Sequence, residues 1–307
     1  MNPQTDPLRE LSPGIRPSVV SPTRPLYWSI RREFWENRSL YVAPLGVAAL
    51  ILVGSLISAV HLSQTTRAAL ALPPMEQYER IQGPYTVAAT LLMGTTFVVA
   101  VFYCLDALYG ERRDRSVLFW KSLPVSDTTT VLAKAIIPMV FLPLITFAIT
   151  FLTQGIMLLV ESAVLAGSGL SVVTLWSHLS LFQMGGMLLY HLVLIHGLWY
   201  APMFAYLLMV SAWARRGAFL WAFVPPLAIA LVEKIAFNTT HFAMFLQHRL
   251  SGGEEGAKYI PGTMSIEPLA MLNPAHFVIS PGLWGGFVVA AAFLFVTARL
   301  RRHRGPI

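Results

Sequence analysis

The chain has 307 residues, of which 55% are hydrophobic and only 12% charged, with a formal net charge of +7 at pH 7. A soluble globular domain carries roughly 25% charged residues, so this composition excludes a water-soluble fold of this size; a bilayer removes the difficulty because lipid solvates the apolar faces. The single cysteine, Cys104, excludes an intrachain disulfide. A basic balance also suits nucleic acid, but the placement of the charges argues for a membrane and against nucleic acid.

Residues 1–26 contain Pro3, Pro7, Pro13, Pro17, Pro22 and Pro25 and few large apolar side chains. This composition predicts a disordered tail, and the long Arg-containing polar stretch before the first apolar run is unlike a signal peptide. Residues 27–39 place Tyr27, Ile30 and Phe34 on one helical face, with Trp28 and Trp35 beside it and Arg31, Arg32, Glu36 and Arg38 at the edges. That pattern predicts a helix lying in the membrane interface.

Six stretches free of Asp, Glu, Lys and Arg follow, at 39–66, 81–105, 135–160, 162–214, 217–232 and 268–298. A crossing needs about 20 apolar residues. The expected fold is therefore an all-α integral membrane protein with six spans near 40–62, 86–108, 131–160, 181–213, 218–246 and 281–300. A short tail over 303–307 and a partly re-entrant outer loop before the last span complete it. The 53-residue fourth run is long enough for two crossings, but the basic residues argue for one. With six spans and the N-terminus inside, six basic residues precede the first span and five follow the second. Two more, Arg215 and Arg216, follow the fourth, and four (Arg299, Arg301, Arg302 and Arg304) end the chain: 17 of the 22 Lys and Arg. Only Arg67, Arg80, Lys234, Arg249 and Lys258 fall outside. The positive-inside rule asks for this asymmetry, and it places both termini in the cytoplasm and residues 162–180 and 235–280 outside.

The most informative segment is the loop after the second span, Gly110-Glu-Arg-Arg-Asp-Arg-Ser-Val-Leu-Phe-Trp-Lys-Ser-Leu-Pro-Val-Ser-Asp127. Its charges sit beside a compact apolar group, Val117 to Trp120. Pro124 disfavours helix in the residue before it, and Ser126 or Asp127 is placed to cap the third span. A short helix along the cytoplasmic surface is expected, with Phe119 and Trp120 packed on the bundle, the lipid interface or a partner.

This segment resembles the loop of ABC type-2 exporter permeases, and the layout over residues 27–302 is similar too. The resemblance implies a coupling helix that docks on a separate ABC ATPase subunit, with Glu111, Arg112, Arg113, Asp114, Arg115, Ser116, Leu118, Phe119 and Trp120 as the docking residues. It further implies two ATPase copies, a second permease copy forming a homodimer, ATP and Mg bound by the partner rather than by this chain, and a bacterial inner membrane. Consistently, none of the four lysines (Lys121, Lys134, Lys234 and Lys258) follows a glycine, so the chain lacks a phosphate-binding Gly-Lys-Ser/Thr loop and is not expected to be an enzyme.

His191 and His196 are about 140° apart around a helix axis, poorly placed to share a metal. They read either as hydrogen-bonded structural histidines or, with Tyr190, Trp199 and Tyr200, as the lining of a cavity; Tyr190, His196, Trp199, Tyr200 and Glu233 are the candidates for a translocation pathway. Glu233-Lys234 falls near the outer end of the fifth span, where the two charges either pair or reach the interface. Pro225-Pro226 lies mid-span and predicts a kink. An intramembrane protease or lipid transferase, or an ATP-independent transporter, is the alternative. The first needs clustered catalytic groups, and Glu161, His191, His196 and Glu233 form no motif; the second often carries internal repeats, of which there is none convincing.

Overall fold

The computed structural model describes residues 23–122, 124–252 and 274–307. Most of the expected disordered tail, the tip of the outer loop and residues 264–273 of the expected re-entrant segment lie outside the described residues. The described chain is helical, with no strand, and six helices are long and apolar enough to cross a membrane: Ser39–Ala59, Glu79–Arg113, Asp127–Gly167, Leu181–Trp199, Ala218–Phe237 and Pro281–His303.

In chain order, α1 (Thr23–Glu36) is the amphipathic helix before the first span; it starts four residues earlier than the composition suggested, so Thr23 to Leu26 are helical rather than part of the tail. The first span is α2 (Ser39–Ala59), followed by the short α3 (Leu62–Leu70) and the long α4 (Pro74–Asp106), which carries the second span. Two short helices, α5 (Tyr109–Arg113) and α6 (Ser116–Ser122), form the connecting loop. The third span is α7 (Asp127–Ile136), a π-helical turn over Ile137–Phe141, and α8 (Leu142–Gly167). After α9 (Val172–His178) the fourth span runs through α10 (Leu181–Tyr190), a second π segment over His191–Trp199, and α11 (Ala201–Trp213). The fifth span is α12 (Ala218–Phe237), which begins after Gly217 in the left-handed region (φ 61°). It stays helical through Pro225 and Pro226 and stops where Asn238 takes φ 49°. The expected continuation to 246 is instead a separate helix, α13 (His241–Leu250). Helix α14 (Pro274–Ile279) leads into the sixth span, α15 (Pro281–His303).

One set of contacts fixes the topology. Glu33 before the first span, Glu111 after the second, Lys134 and Asp127 at the start of the third, and Arg301 at the end of the sixth are linked in a chain of ion pairs, Glu33–Lys134–Glu111–Arg301–Asp127. Arg112 bonds the carbonyls of Ala212 and Ala214 at the end of the fourth. The first four spans and the sixth therefore each have one end here, and the long charge-free run 162–214 crosses once.

The core runs down the middle of the fourth span. Phe204 and Leu208 are buried with Leu40, Cys104, Leu142 and Leu283 from four other spans. The two π segments abut each other. A Cβ added at Gly197 would stand 2.7 Å from the Met139 carbonyl oxygen, closer than real contacts allow, so only glycine admits this approach of backbone to backbone. π-Turns are uncommon and concentrate at functional sites. The fifth span is the least enclosed: only Ala218 and Ala222 are buried along it.

Candidate functional site: a buried charge network under the 109–127 loop

The loop is shaped by local rules. Arg115 takes φ 60°, in the left-handed region, and breaks α5 from α6. Ser126 caps the third span, its Oγ accepting from the Thr129 N–H at 3.0 Å. Ser211 Oγ on the fourth span accepts from the N–H groups of Leu108 and Tyr109, which α5 leaves without partners at its start.

Beneath this loop lies a closed electrostatic cluster. Lys134 Nζ, 2% exposed, sits 2.8 Å from Glu33 Oε1 and 3.0 Å from Glu111 Oε1. Arg32 Nη2 reaches the same two oxygens at 2.8 and 2.9 Å. Arg301 donates to Glu111 Oε2 at 3.1 Å and to Asp127 Oδ1 at 3.0 Å. Tyr103 OH donates to Glu33 Oε2 at 2.9 Å. Three cations face three carboxylates, and the pairs join α1, the loop, the third span and the sixth. Burial pushes the Glu33 carboxyl up, but Lys134 and then Arg32 outweigh it, so the group sits below its ordinary value of 4.5.

The residues expected to dock a partner divide between two roles. Glu111 and Arg112 point inward: Glu111 is in the cluster, and Arg112 donates to Ala212 O at 2.7 Å, Ala214 O at 3.0 Å and Gly305 O at 3.3 Å. Ser116 Oγ bonds back to the Glu111 carbonyl. Trp120 lies edge-on to Phe119 and covers the Arg32 guanidinium at 4.0 Å. Leu118 and Phe119, by contrast, are 59% and 60% exposed, and Arg113, Asp114 and Arg115 are exposed beside them. Arg113 pairs with Asp114 at 3.0 Å. The loop thus presents a small apolar tip with charged flanks on a rigid, ion-paired base.

The sequence does not single out Glu33 and Tyr103, and it marks Asp127 only as a candidate cap and Lys134 and Arg301 only as members of the basic set, although a signal for buried pairing is present. Lys134 is the lone charge in Val131-Leu-Ala-Lys-Ala-Ile136, and Glu33 lies between Ile30 and Phe34 on the apolar side of α1. A charge flanked by apolar helix on both sides requires a buried partner.

At the other end of the bundle, the proposed pathway residues hold α13 in place. Trp199 Nε1 donates to Arg249 O at 2.9 Å and Tyr200 OH to Leu250 O at 2.8 Å. The Arg249 guanidinium covers the Trp199 ring at 4.2 Å. The Glu233 carboxylate accepts from Thr239 Oγ1 and from the N–H groups of His241 and Phe242, capping the start of α13 rather than pairing with its neighbour Lys234 among the described residues. His196 stacks edge-on to Tyr200 and Phe97. Tyr190 meets the His191 ring edge-on, and His191 Nδ1 bonds the Met187 carbonyl. Trp199, Tyr200 and Glu233 thus converge on one helix.

The groups an intramembrane enzyme would need are engaged separately. Glu161 accepts from Tyr85 OH at 2.8 Å, Glu233 caps α13, and no group of three or more His, Cys, Asp or Glu suited to a metal occurs among the described residues.

Architecture and composition together define a multi-pass membrane protein, all-helical over the described residues, with six helices among them long and apolar enough to span a membrane. No protein-family model, curated protein or solved structure matches the chain.

Proposed function

We propose that this chain is the permease subunit of an ATP-driven ABC-type exporter, moved by a separate ATPase that docks on the 109–127 loop. The observation that carries the reading is the exposed Leu118–Phe119 tip on a loop ion-paired to α1 and to the third and sixth spans. A force applied at the tip reaches three membrane elements without passing through flexible chain. Large apolar side chains held outward beside arginines are the usual anchors of protein interfaces. The same reading places the chain in a bacterial inner membrane, pairs it with a second permease copy and assigns ATP and Mg to the partner.

Affinity purification from native membranes, with mass spectrometry of bound proteins, tests this directly. An ATPase bearing a phosphate-binding loop is expected to co-purify, and the isolated chain is expected to turn over no ATP until that subunit is added. ATP turnover by the rigorously purified single chain would overturn the assignment.

The orientation follows from the basic residues: the loop and both ends of the described chain face the cytoplasm. A cysteine introduced at Arg302, in a background lacking Cys104, is expected to resist a membrane-impermeant maleimide in intact cells and to react after lysis. Labelling before lysis would reverse the topology.

A further inference from the structure

A second cluster of charge lies at the same end of the bundle as the loop but away from the Phe119 tip. Where the fourth span hands over to the fifth, Trp213, Arg215, Arg216, Trp221, Arg304 and Ile307 enclose an open pocket of about 610 Å³. Arg215 and Arg216 are exposed. Arg112 lies just behind, its guanidinium satisfied only by backbone carbonyls. Among the described residues none of these four arginines has a carboxylate side chain as ion-pair partner, and a carboxylate at Ile307 would cancel one charge of four. Elsewhere at this end of the bundle buried cations are matched by acids, as the Glu33–Lys134–Glu111 cluster shows. Here the positive charge is left open.

The walls of the pocket add a second requirement. Trp213 and Trp221 meet edge-on at 4.8 Å, the amphipathic pair expected at headgroup level. From Trp221 the fifth span continues as an exposed apolar surface, with Val224 at 53%, Leu227 at 63% and Leu231 at 61%. A ligand that satisfies both parts carries a negative head and apolar tails.

We propose that this pocket binds the phosphate of an anionic phospholipid, whose acyl chains lie along the fifth span. Arginine forks suit phosphate oxygens, and basic pockets between spans are known to hold acidic headgroups. A soluble phosphate would use the arginines but leave the apolar wall bare.

Native mass spectrometry of the full chain in detergent, loaded with phosphatidylglycerol or phosphatidylcholine, tests the site. The wild type is expected to retain phosphatidylglycerol selectively. Arg215→Gln with Arg216→Gln should lower that retention about thirtyfold, each basic residue near a membrane surface contributing about fivefold. Arg299→Gln with Arg302→Gln removes the same charge from the same end outside the pocket and should leave retention unchanged. Should the double glutamine variant fail to fold, the single Arg216→Gln variant carries the same comparison. Equal loss in both pairs of variants would mean diffuse surface attraction and overturn the proposal. So would displacement of the lipid by millimolar inorganic phosphate, which would mark a free-anion site. Unchanged lipid retention with loss of a co-purifying protein would assign the pocket to a protein contact instead.

Discussion

Lys134→Met is expected to destabilise the protein by about 3–5 kcal/mol, the cost of removing one partner from a buried ion pair. Lys134 is almost wholly enclosed and is shared by Glu33 and Glu111, whose facing oxygens it holds at 2.8 and 3.0 Å. Methionine fills a similar volume, so packing survives while the two carboxylates are left facing each other with Arg32 and Arg301 as their remaining cations. Two outcomes are possible for Glu33: it takes up a proton, or α1 lifts away from the third span. Either appears as a lower melting temperature in detergent. Lys134→Met combined with Glu33→Gln removes the charges together and is expected to recover part of the loss, because an unpaired buried charge costs more than an absent pair. A wild-type melting temperature in the single variant would show that the cluster carries no stability. The pH dependence follows from the same geometry. The folded Glu33 holds its proton less tightly than its ordinary value of 4.5. Its contribution is therefore fully present above that value and lost as pH falls through the lower folded one. Stability should change little with this group between pH 5 and 8 and fall in stronger acid, and Glu33→Gln should flatten that acid limb.

Leu118→Ala with Phe119→Ala is expected to weaken binding of the ATPase at least about thirtyfold, as loss of a buried interface anchor does, and to abolish ATP-driven export. Neither side chain belongs to the charge cluster, and both are more than half exposed, so the six spans should remain inserted and the melting temperature nearly unchanged. Trp120→Ala is expected to act differently. Trp120 covers Arg32 at 4.0 Å, so its loss uncovers a cluster member and should cost stability of about 1–2 kcal/mol, the range of a partly desolvated cation–π contact. The contrast between neighbouring residues is the informative result. Unchanged ATPase affinity in the double variant, with export intact, would remove the docking assignment and leave the loop a structural element.

The sequence by itself determined the class of the protein, its helical character and the number of crossings. These properties depend on one-dimensional quantities: runs of apolar residues long enough for hydrocarbon, and the spacing of arginines between them. Ser126 as a cap was legible for the same reason, since capping is local. Only the tertiary structure decided what the polar residues inside and beside the spans do. Glu111 and Arg112 read as surface charges because they adjoin Arg113, Asp114 and Arg115, yet they are drawn inward by Lys134, Arg301 and two carbonyls more than twenty to nearly two hundred positions away. Glu233 was expected to pair with its neighbour Lys234 or reach the interface. It instead caps α13, because Asn238 in the left-handed region ends the fifth span and turns the next N–H groups back toward it. The π segments were likewise invisible in composition; they arise where two spans approach closely enough for Gly197 to touch the Met139 carbonyl. In lipid, apolar surface has little preference among apolar neighbours, so hydropathy places helices in the membrane, while the pairing of the few polar groups decides how those helices are joined.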